Sequence, residues 1–346
     1  MSDAGNPLFL NIHTYMDNLL SLLDNPWMLA ATLIVGFVLL VKGADWLVDG
    51  ASAIAKRFGI SDLVIGLTVV AFGTSMPEFV VNMVSVADGS TDLAITNILG
   101  SNIINTFVIL GLTALVWPVV SQKRSRDFDI PMSIFAAVLV FAAVAIPSPF
   151  GESVPGITRL GGVVLLVLFC YFLYNTFRHA HDHPDEASAE VVQPMAAGKA
   201  VLLVLCGLAG LVAGGEMIVK SAVRIATGLG VSEAVIGLTI VALGTSLPEL
   251  ATSVIAAFKH NSDIALGNVI GSKIFNVFFV LASSATIRPL PAYDGIVLDA
   301  WMAAIGSMLV WLFVKTNHER EVKRWGGAIL LAVYAAYLTY RLLHVV

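Results

Sequence analysis

Ten apolar stretches separated by short polar breaks run along the chain, near 28–50, 62–87, 92–117, 129–147, 156–177, 199–222, 233–258, 262–287, 294–315 and 325–343. A helix needs roughly 20 apolar residues to cross the hydrocarbon core of a bilayer. The alternation of apolar and polar residues that marks a membrane barrel strand does not occur. Helices are then the way this backbone satisfies its own hydrogen bonds in lipid. The pattern predicts an all-α polytopic membrane protein of ten transmembrane helices.

Composition sharpens that expectation. Of 346 residues, 58% are hydrophobic and 12% charged, against about 25% charged in soluble domains. The net charge is −5, and the basic residues sit in loops without forming a stripe, which argues against a nucleic-acid partner. Cys170 and Cys206 fall inside apolar spans and read as small core residues rather than a disulfide or metal site. Residues 1–27 form an N-terminal extension without a basic leader or cleavage site. Its segment FLNIHTYMDNLLSLLDNPW reads equally as an interfacial amphipathic helix or a tail.

Loop charge sets orientation, because Lys and Arg concentrate on the cytoplasmic side. With the N-terminus outside, inner loops hold Lys56, Arg57, Lys123, Arg124, Arg126, Arg178, Lys199, Lys259, Lys315, Arg320, Lys323 and Arg324. The outer segments then hold only Arg159, Lys220, Arg224, Arg288 and Arg341. Both termini are expected outside the cytoplasm.

The chain also repeats itself. Residues 64–115, shifted by 171 positions, fall on 235–286 without a gap, with 22 identities in 52 pairs. VIGLTVVAFGTSMPE meets VIGLTIVALGTSLPE, and NILGSNIIN meets NVIGSKIFN. This divides the chain into a first five-helix repeat, 28–178, a cytoplasmic linker, 179–198, and a second five-helix repeat, 199–346. Five is odd, so the second copy enters the membrane inverted. Secondary transporters commonly have inverted repeats, with a site at their interface near the bilayer midplane. The linker reads as solvated, with a regulatory metal site at His179, His181 and His183 as the alternative.

The repeated motifs place chemistry inside the membrane. An ionisable residue at mid-membrane costs at least about 2.5–3.5 kcal/mol on insertion scales, so Glu78 and Glu249 are expected to face protein or a water-filled cavity. Pro77 and Pro248 lack an N–H and clash with the carbonyls of Gly73 and Gly244, breaking each helix. Such a break is expected to free backbone oxygens around Ala71–Ser75 to line a cavity. Thr74, Ser75 and Glu78 share about a quarter of the helix circumference, and Asn97, Ser101 and Asn105 form one stripe in the next span. The second half repeats both sets as Thr245, Ser246, Glu249 and Asn268, Ser272, Asn276.

These groups are oxygen donors without a thiol or imidazole, which suits hard cations such as Ca²⁺ and Na⁺ better than Zn²⁺ or Cu⁺. Two carboxylates balance one Ca²⁺, two Na⁺ or two protons, a physical basis for exchange. Asn, Ser and Thr in membrane helices also bond neighbours for purely structural reasons, and that is the first reading of Asn97 and Asn268. Asp92 and Asp263 lie in helix-capping segments. Lys42 with Asp45, and Glu216 with Lys220, have the spacing of local ion pairs.

The motifs GTSMPE…GSNIIN and GTSLPE…GSKIFN resemble the paired alpha repeats of the sodium/calcium exchangers, in the calcium/cation antiporter superfamily, here in a prokaryotic-type form. The resemblance implies a Na⁺/Ca²⁺ antiporter of the bacterial inner (plasma) membrane that works by alternating access, with the first and sixth spans sliding across the other eight. It implies ion ligands at Ala71 (carbonyl), Thr74, Ser75, Glu78, Ser101 and Asn105, then Ala242 (carbonyl), Thr245, Ser246, Glu249, Ser272 and Asn276. Gly73, Pro77, Gly244 and Pro248 shape the breaks. Ca²⁺ and Na⁺ are substrates, the bilayer is the environment, and neither a cofactor nor an obligatory protein partner is expected.

Two departures stand out. Asn276 occupies a position where some members carry Asp, which makes potassium dependence less expected. Lys273 stands where the first repeat has Asn102, and its side chain either enters the cavity or turns away. A cation/proton antiporter on the same site is the nearest alternative, with a passive channel behind it. An enzyme is not expected: an intramembrane hydrolase using Ser75 or Ser246 lacks a His or Lys base in either motif, and no GxxxxGK[ST] loop for ATP appears.

Overall fold

The computed structural model describes residues 25–146, 156–182, 195–231, 240, 242–293 and 295–345. The proposed N-terminal amphipathic segment, most of the linker, and His181 and His183 as side chains lie outside the described residues. Helix α1 covers Pro26–Phe58. Helix α2 is broken into Asp62–Thr74 and Met76–Ala87, which meet at 44°. Then follow α3 (Thr91–Val116), α4 (Ser125–Ala145), α5 (Arg159–Asp182) and α6 (Ala197–Gly228). The described part of α7 is the turn Ala242–Gly244 and the helix Leu247–Phe258. Helices α8 (Ser262–Ile287), α9 (Ile296–Thr316) and α10 (Arg324–Val345) complete the chain. The molecule is an all-α polytopic membrane protein built from two inverted five-helix repeats.

Two short ribbons lie at opposite ends. Strand β1 (Val119–Val120) follows α3 and pairs antiparallel with β4 (Glu321–Val322), which follows α9. Strand β2 (Gly156–Ile157) follows α4 and pairs with β3 (Leu290–Pro291), which follows α8. β1 and β3 are equivalent positions of the two repeats, 171 residues apart. An even number of spans separates the strands of each ribbon, so α7 must cross the molecule like its neighbours. The end holding β1 and β4 also holds the two sides of the linker and is called the linker end below.

Burial divides the helices by role. Helices α3 and α8 are enclosed along nearly their whole length, whereas α1, α5 and α10 are mostly exposed, as lipid-facing helices are. Helices α1 and α6 pack backbone to backbone. A Cβ on Gly43 would stand 2.7 Å from the Leu211 nitrogen, and one on Gly214 would stand 2.6 Å from the Gly36 oxygen. Glycine at these positions lets two helices approach closely in a medium where hydrophobic burial gives no drive to associate.

Several expectations are corrected here. Helix α1 has 33 residues and α6 has 32, where hydropathy suggested spans ending near 50 and 222. At 1.5 Å per residue each is about 50 Å long, well beyond the roughly 30 Å hydrocarbon core, so they tilt or protrude. Hydropathy falls at Asp49, but the helix runs on to a left-handed cap at Gly59, φ 64°. Cys170 and Cys206 are exposed free thiols, not core residues. The capping expected of the two segments is made only at α8, where the Asn261 side chain accepts from the Ile264 N–H at 3.0 Å. Ser90, at the equivalent point of α3, makes no such bond.

Candidate functional site

The breaks in α2 and α7 bring the two glutamates into the centre. Each proline opens the helix that follows its break: Pro77 in Met76–Ala87 and Pro248 in Leu247–Phe258. Proline tolerates this place because the first-turn N–H has no intrahelical acceptor. Gly73 and Gly244 stand just before the breaks and face α6. A Cβ there would come within 2.4 Å of Leu208 and Val219 side-chain carbons, respectively.

Glu78 and Glu249 are each fully buried, with 0% exposure. Their hydroxyl partners come from both repeats. Ser75 Oγ donates to Glu249 Oε1 at 2.8 Å, and Ser246 Oγ donates to Glu78 Oε1 at 3.3 Å. Within each repeat, Ser101 Oγ reaches Glu78 Oε1 at 3.3 Å and Ser272 Oγ reaches Glu249 Oε1 at 3.5 Å. Thr245 also faces Glu78, and Thr74 faces Glu249. Each acid is thus held by hydroxyls from the opposite half, which the sequence motif alone does not disclose.

The second oxygen of each carboxylate, Oε2, has no hydrogen-bond donor among the described residues. Asn105 Oδ1 and Asn276 Oδ1 likewise lack a donor, and Asn105 Nδ2 lacks an acceptor, among the described residues. Leaving buried polar atoms unpaired is costly, especially on a charged group. Two glutamates bonded across the repeats, each with an unpaired oxygen, fit a hard cation, whose coordination would satisfy them. Each asparagine opens a π-helical segment, Asn105–Ile109 and Asn276–Leu281, a distortion frequent at functional sites.

One detail differs from the sequence reading, and one alternative left open there is decided. The Ala71 carbonyl is not left open by the break, since Ser75 N–H donates to it at 3.1 Å and Thr74 Oγ1 at 3.4 Å. A carbonyl has a second lone pair, so it keeps some acceptor capacity. Ala242 opens the short turn Ala242–Gly244. Lys273 is buried and donates to Ser307 Oγ on α9 at 2.6 Å. Its amine turns to α9, while its own carbonyl accepts from Asn102 Nδ2 at 3.4 Å.

Asn97 and Asn268 act as the hydrogen-bonding groups expected of them. Asn97 Nδ2 donates to the Glu78 carbonyl at 3.4 Å and to Asn82 Oδ1 at 2.7 Å. Asn268 Nδ2 donates to the Glu249 carbonyl at 3.2 Å and to Ser253 Oγ at 2.9 Å. Asn82 and its counterpart Ser253 were not singled out in the sequence, although each lies one helical turn beyond its glutamate. That i, i+4 spacing on the acid's own face was the available signal.

A lipid-facing shell, two inverted repeats and a buried oxygen site shared between broken helices define a secondary transporter for small cations. The sodium/calcium exchanger protein family matches this chain over residues 28–178 and 199–343, and the chain belongs to that family. It is 39% identical to the putative antiporter CaxA of Alkalimonas amylolytica over 324 residues, covering 90% of this chain and 98% of that protein. It is 32% identical to the sodium/calcium exchanger MaX1 of Methanosarcina acetivorans, covering 88% and 96% of the two chains. Its fold matches the sodium-calcium exchanger NCX_Mj, solved after soaking in Na⁺ and Ca²⁺, with a TM-score of 0.76, 34% identity, and coverage of 90% of this chain and 98% of that one.

Proposed function

We propose that this protein is a secondary active antiporter that exchanges Na⁺ for Ca²⁺ across the bacterial inner membrane by alternating access. The observation that carries the reading is the pair of fully buried glutamates, each bonded by a serine of the other repeat and each with one oxygen lacking a donor. The ligands are Glu78 and Glu249, with the Thr74, Ser75, Ser101 and Asn105 side chains and the Ala71 carbonyl from one half. The other half supplies Thr245, Ser246, Ser272 and Asn276 side chains and the Ala242 carbonyl.

Charge explains why such a site exchanges rather than leaks. Two buried carboxylates without a cation are strongly disfavoured in a low-dielectric interior. One Ca²⁺ or a set of Na⁺ ions neutralises them, so the protein changes face loaded with one or the other and not empty. Both sibling donors, Asn105 and Asn276, are neutral amides, so no third carboxylate raises the charge to be balanced. The charge count requires at least two Na⁺ per Ca²⁺, and the family resemblance implies three. The linker end, rich in Lys and Arg, is cytoplasmic by the charge rule, which puts both termini outside.

The test is uptake of ⁴⁵Ca²⁺ into proteoliposomes of the purified chain. Vesicles loaded with Na⁺ in Na⁺-free medium should accumulate Ca²⁺, and vesicles loaded with K⁺ should not. Accumulation driven by a proton gradient alone would replace this reading with Ca²⁺/H⁺ antiport. Ca²⁺ flux without any opposing ion would replace it with a channel.

A further inference from the structure

The two ends of the molecule are not in the same state. At the linker end α1 is tied to the rest of the protein: Lys259, which caps α7, places Nζ 2.6 Å from Asp45 Oδ1 and 2.6 Å from Asp49 Oδ1 of α1. It also donates to the Asp45 carbonyl at 3.1 Å. The expected local pair is kept beside it and is the longer of the two, with Lys42 Nζ 3.9 Å from Asp45 Oδ2. Asn261 reinforces the tie, with Nδ2 reaching Ser52 Oγ of α1 at 3.2 Å and Asp62 Oδ2 of α2 at 2.6 Å. A cavity of about 1070 Å³ enters here, but neither glutamate nor any hydroxyl bonded to one lines it.

Inverted-repeat symmetry names the matching positions at the opposite end. The offset of 171 sends Asp49 to Lys220, Asp45 to Glu216 and Lys259 to Asp88. The signs of the main pair are reversed, acid for base and base for acid, so the pair is preserved. In this structure, however, that pair is not made. Lys220 bonds Glu216 within α6 at 2.8 Å, and Asp88 is exposed at the end of α2.

The surrounding helices show the same asymmetry. Leu247–Phe258 of α7 packs along α1, whereas the equivalent segment Met76–Ala87 stands off α6 along almost its whole length. Val81 is 40% exposed, while its counterpart Thr252 is 0% exposed. A transporter of two inverted repeats that differ in conformation reaches its opposite-facing state when the repeats exchange conformations. In that state α6 lies against Met76–Ala87, and Lys220 meets Asp88.

We propose that Lys259 with Asp45 and Asp49, and Lys220 with Asp88, are two mutually exclusive ion-pair latches that position the α1/α6 pair at opposite ends of the molecule. Each holds one end shut, so together they set from which side ions reach the glutamates. Glu216 is the parking partner of Lys220 while the far latch is open. The assignment rests on the antiporter reading only in that alternating access gives the second state a role. The latch itself is a statement about geometry.

The experiment uses the full chain in liposomes, with Cys170→Ser and Cys206→Ser, then Asp88→Cys and Lys220→Cys. Oxidation should form a disulfide between the two new cysteines, and adding Lys259→Gln should raise its rate about threefold or more, the range expected for loss of a partly exposed ion pair. No disulfide, or a rate indifferent to Lys259→Gln, overturns the proposal. In the parent chain, Asp88→Lys and Lys220→Asp each set like charges face to face and should slow Na⁺/Ca²⁺ exchange, while the double swap should restore it. A double swap no better than the singles also overturns it. Cross-linking needs no transport, so a cross-link that responds to Lys259→Gln without Na⁺-driven uptake would sink the exchange reading alone. Uptake with an unresponsive cross-link would sink the latches alone.

Discussion

Glu78 and Glu249 are held by serines from each other's repeat, so each acid reports to both halves of the molecule. Glu→Gln keeps the shape and one carbonyl oxygen but removes a charge that, in the proposed exchange, a cation balances. Truncating one member of a buried charged pair typically costs at least about 2 kcal/mol, or about thirtyfold in affinity. Glu78→Gln and Glu249→Gln should each weaken Ca²⁺ binding by at least that factor, measured by calorimetry on the purified chain, with helicity unchanged by circular dichroism. Binding unchanged in either variant would remove that residue from the site. At this scale the acids were legible because Thr-Ser-x-Pro-Glu recurs in register, which no shared apolar composition produces. The direction of Lys273 was not legible. A lysine among apolar neighbours is compatible with either face, and only Ser307, 34 positions away, decides it.

Among the elements, the contrast between α1/α6 and the enclosed α3 and α8 controls what can move. Glycines at Gly43 and Gly214 make α1 and α6 one tight unit, while its ties to the other helices at the linker end are side-chain bonds. Gly43→Leu drives carbon into the Leu211 and Gly207 backbone, which cannot yield as a side chain tip does. Overpacking of this kind costs about 1–3 kcal/mol, so the variant should melt earlier and exchange more slowly. Gly198→Ala meets nothing within 4 Å, and its melting temperature should hold or rise slightly, because alanine loses less backbone entropy in a helix. Equal effects in a thermal melt would deny the close contact its role. The proline breaks and the order of spans were readable from local rules. The extra turns of α1 and α6 were not, because hydropathy ends where Asp49 and Lys56 begin but hydrogen bonding within the helix does not.

For the molecule as a whole, the site proposed between two inverted halves makes ion binding and folding a single problem. The site gathers two fully buried carboxylates and several oxygens with no donor among the described residues, and without a cation that arrangement opposes its own assembly. Any ion that binds only the folded form stabilises it by mass action, about 2.7 kcal/mol at a hundredfold excess over its Kd. Ca²⁺ alone and Na⁺ alone should each raise the melting temperature of the detergent-solubilised protein. If both neutralise the same pair of acids, as proposed, their effects should compete: Na⁺ added to a Ca²⁺-saturated sample should leave the melting temperature nearly unchanged and raise the Ca²⁺ concentration needed for half the shift. Additive shifts would mean separate, independent sites, and the charge argument for obligatory exchange would fail with them. Glu249→Gln supplies the internal control, since removing one acid relieves the repulsion in the ion-free protein. Its melting temperature without ions should match or exceed that of the parent, while the gain from Ca²⁺ shrinks.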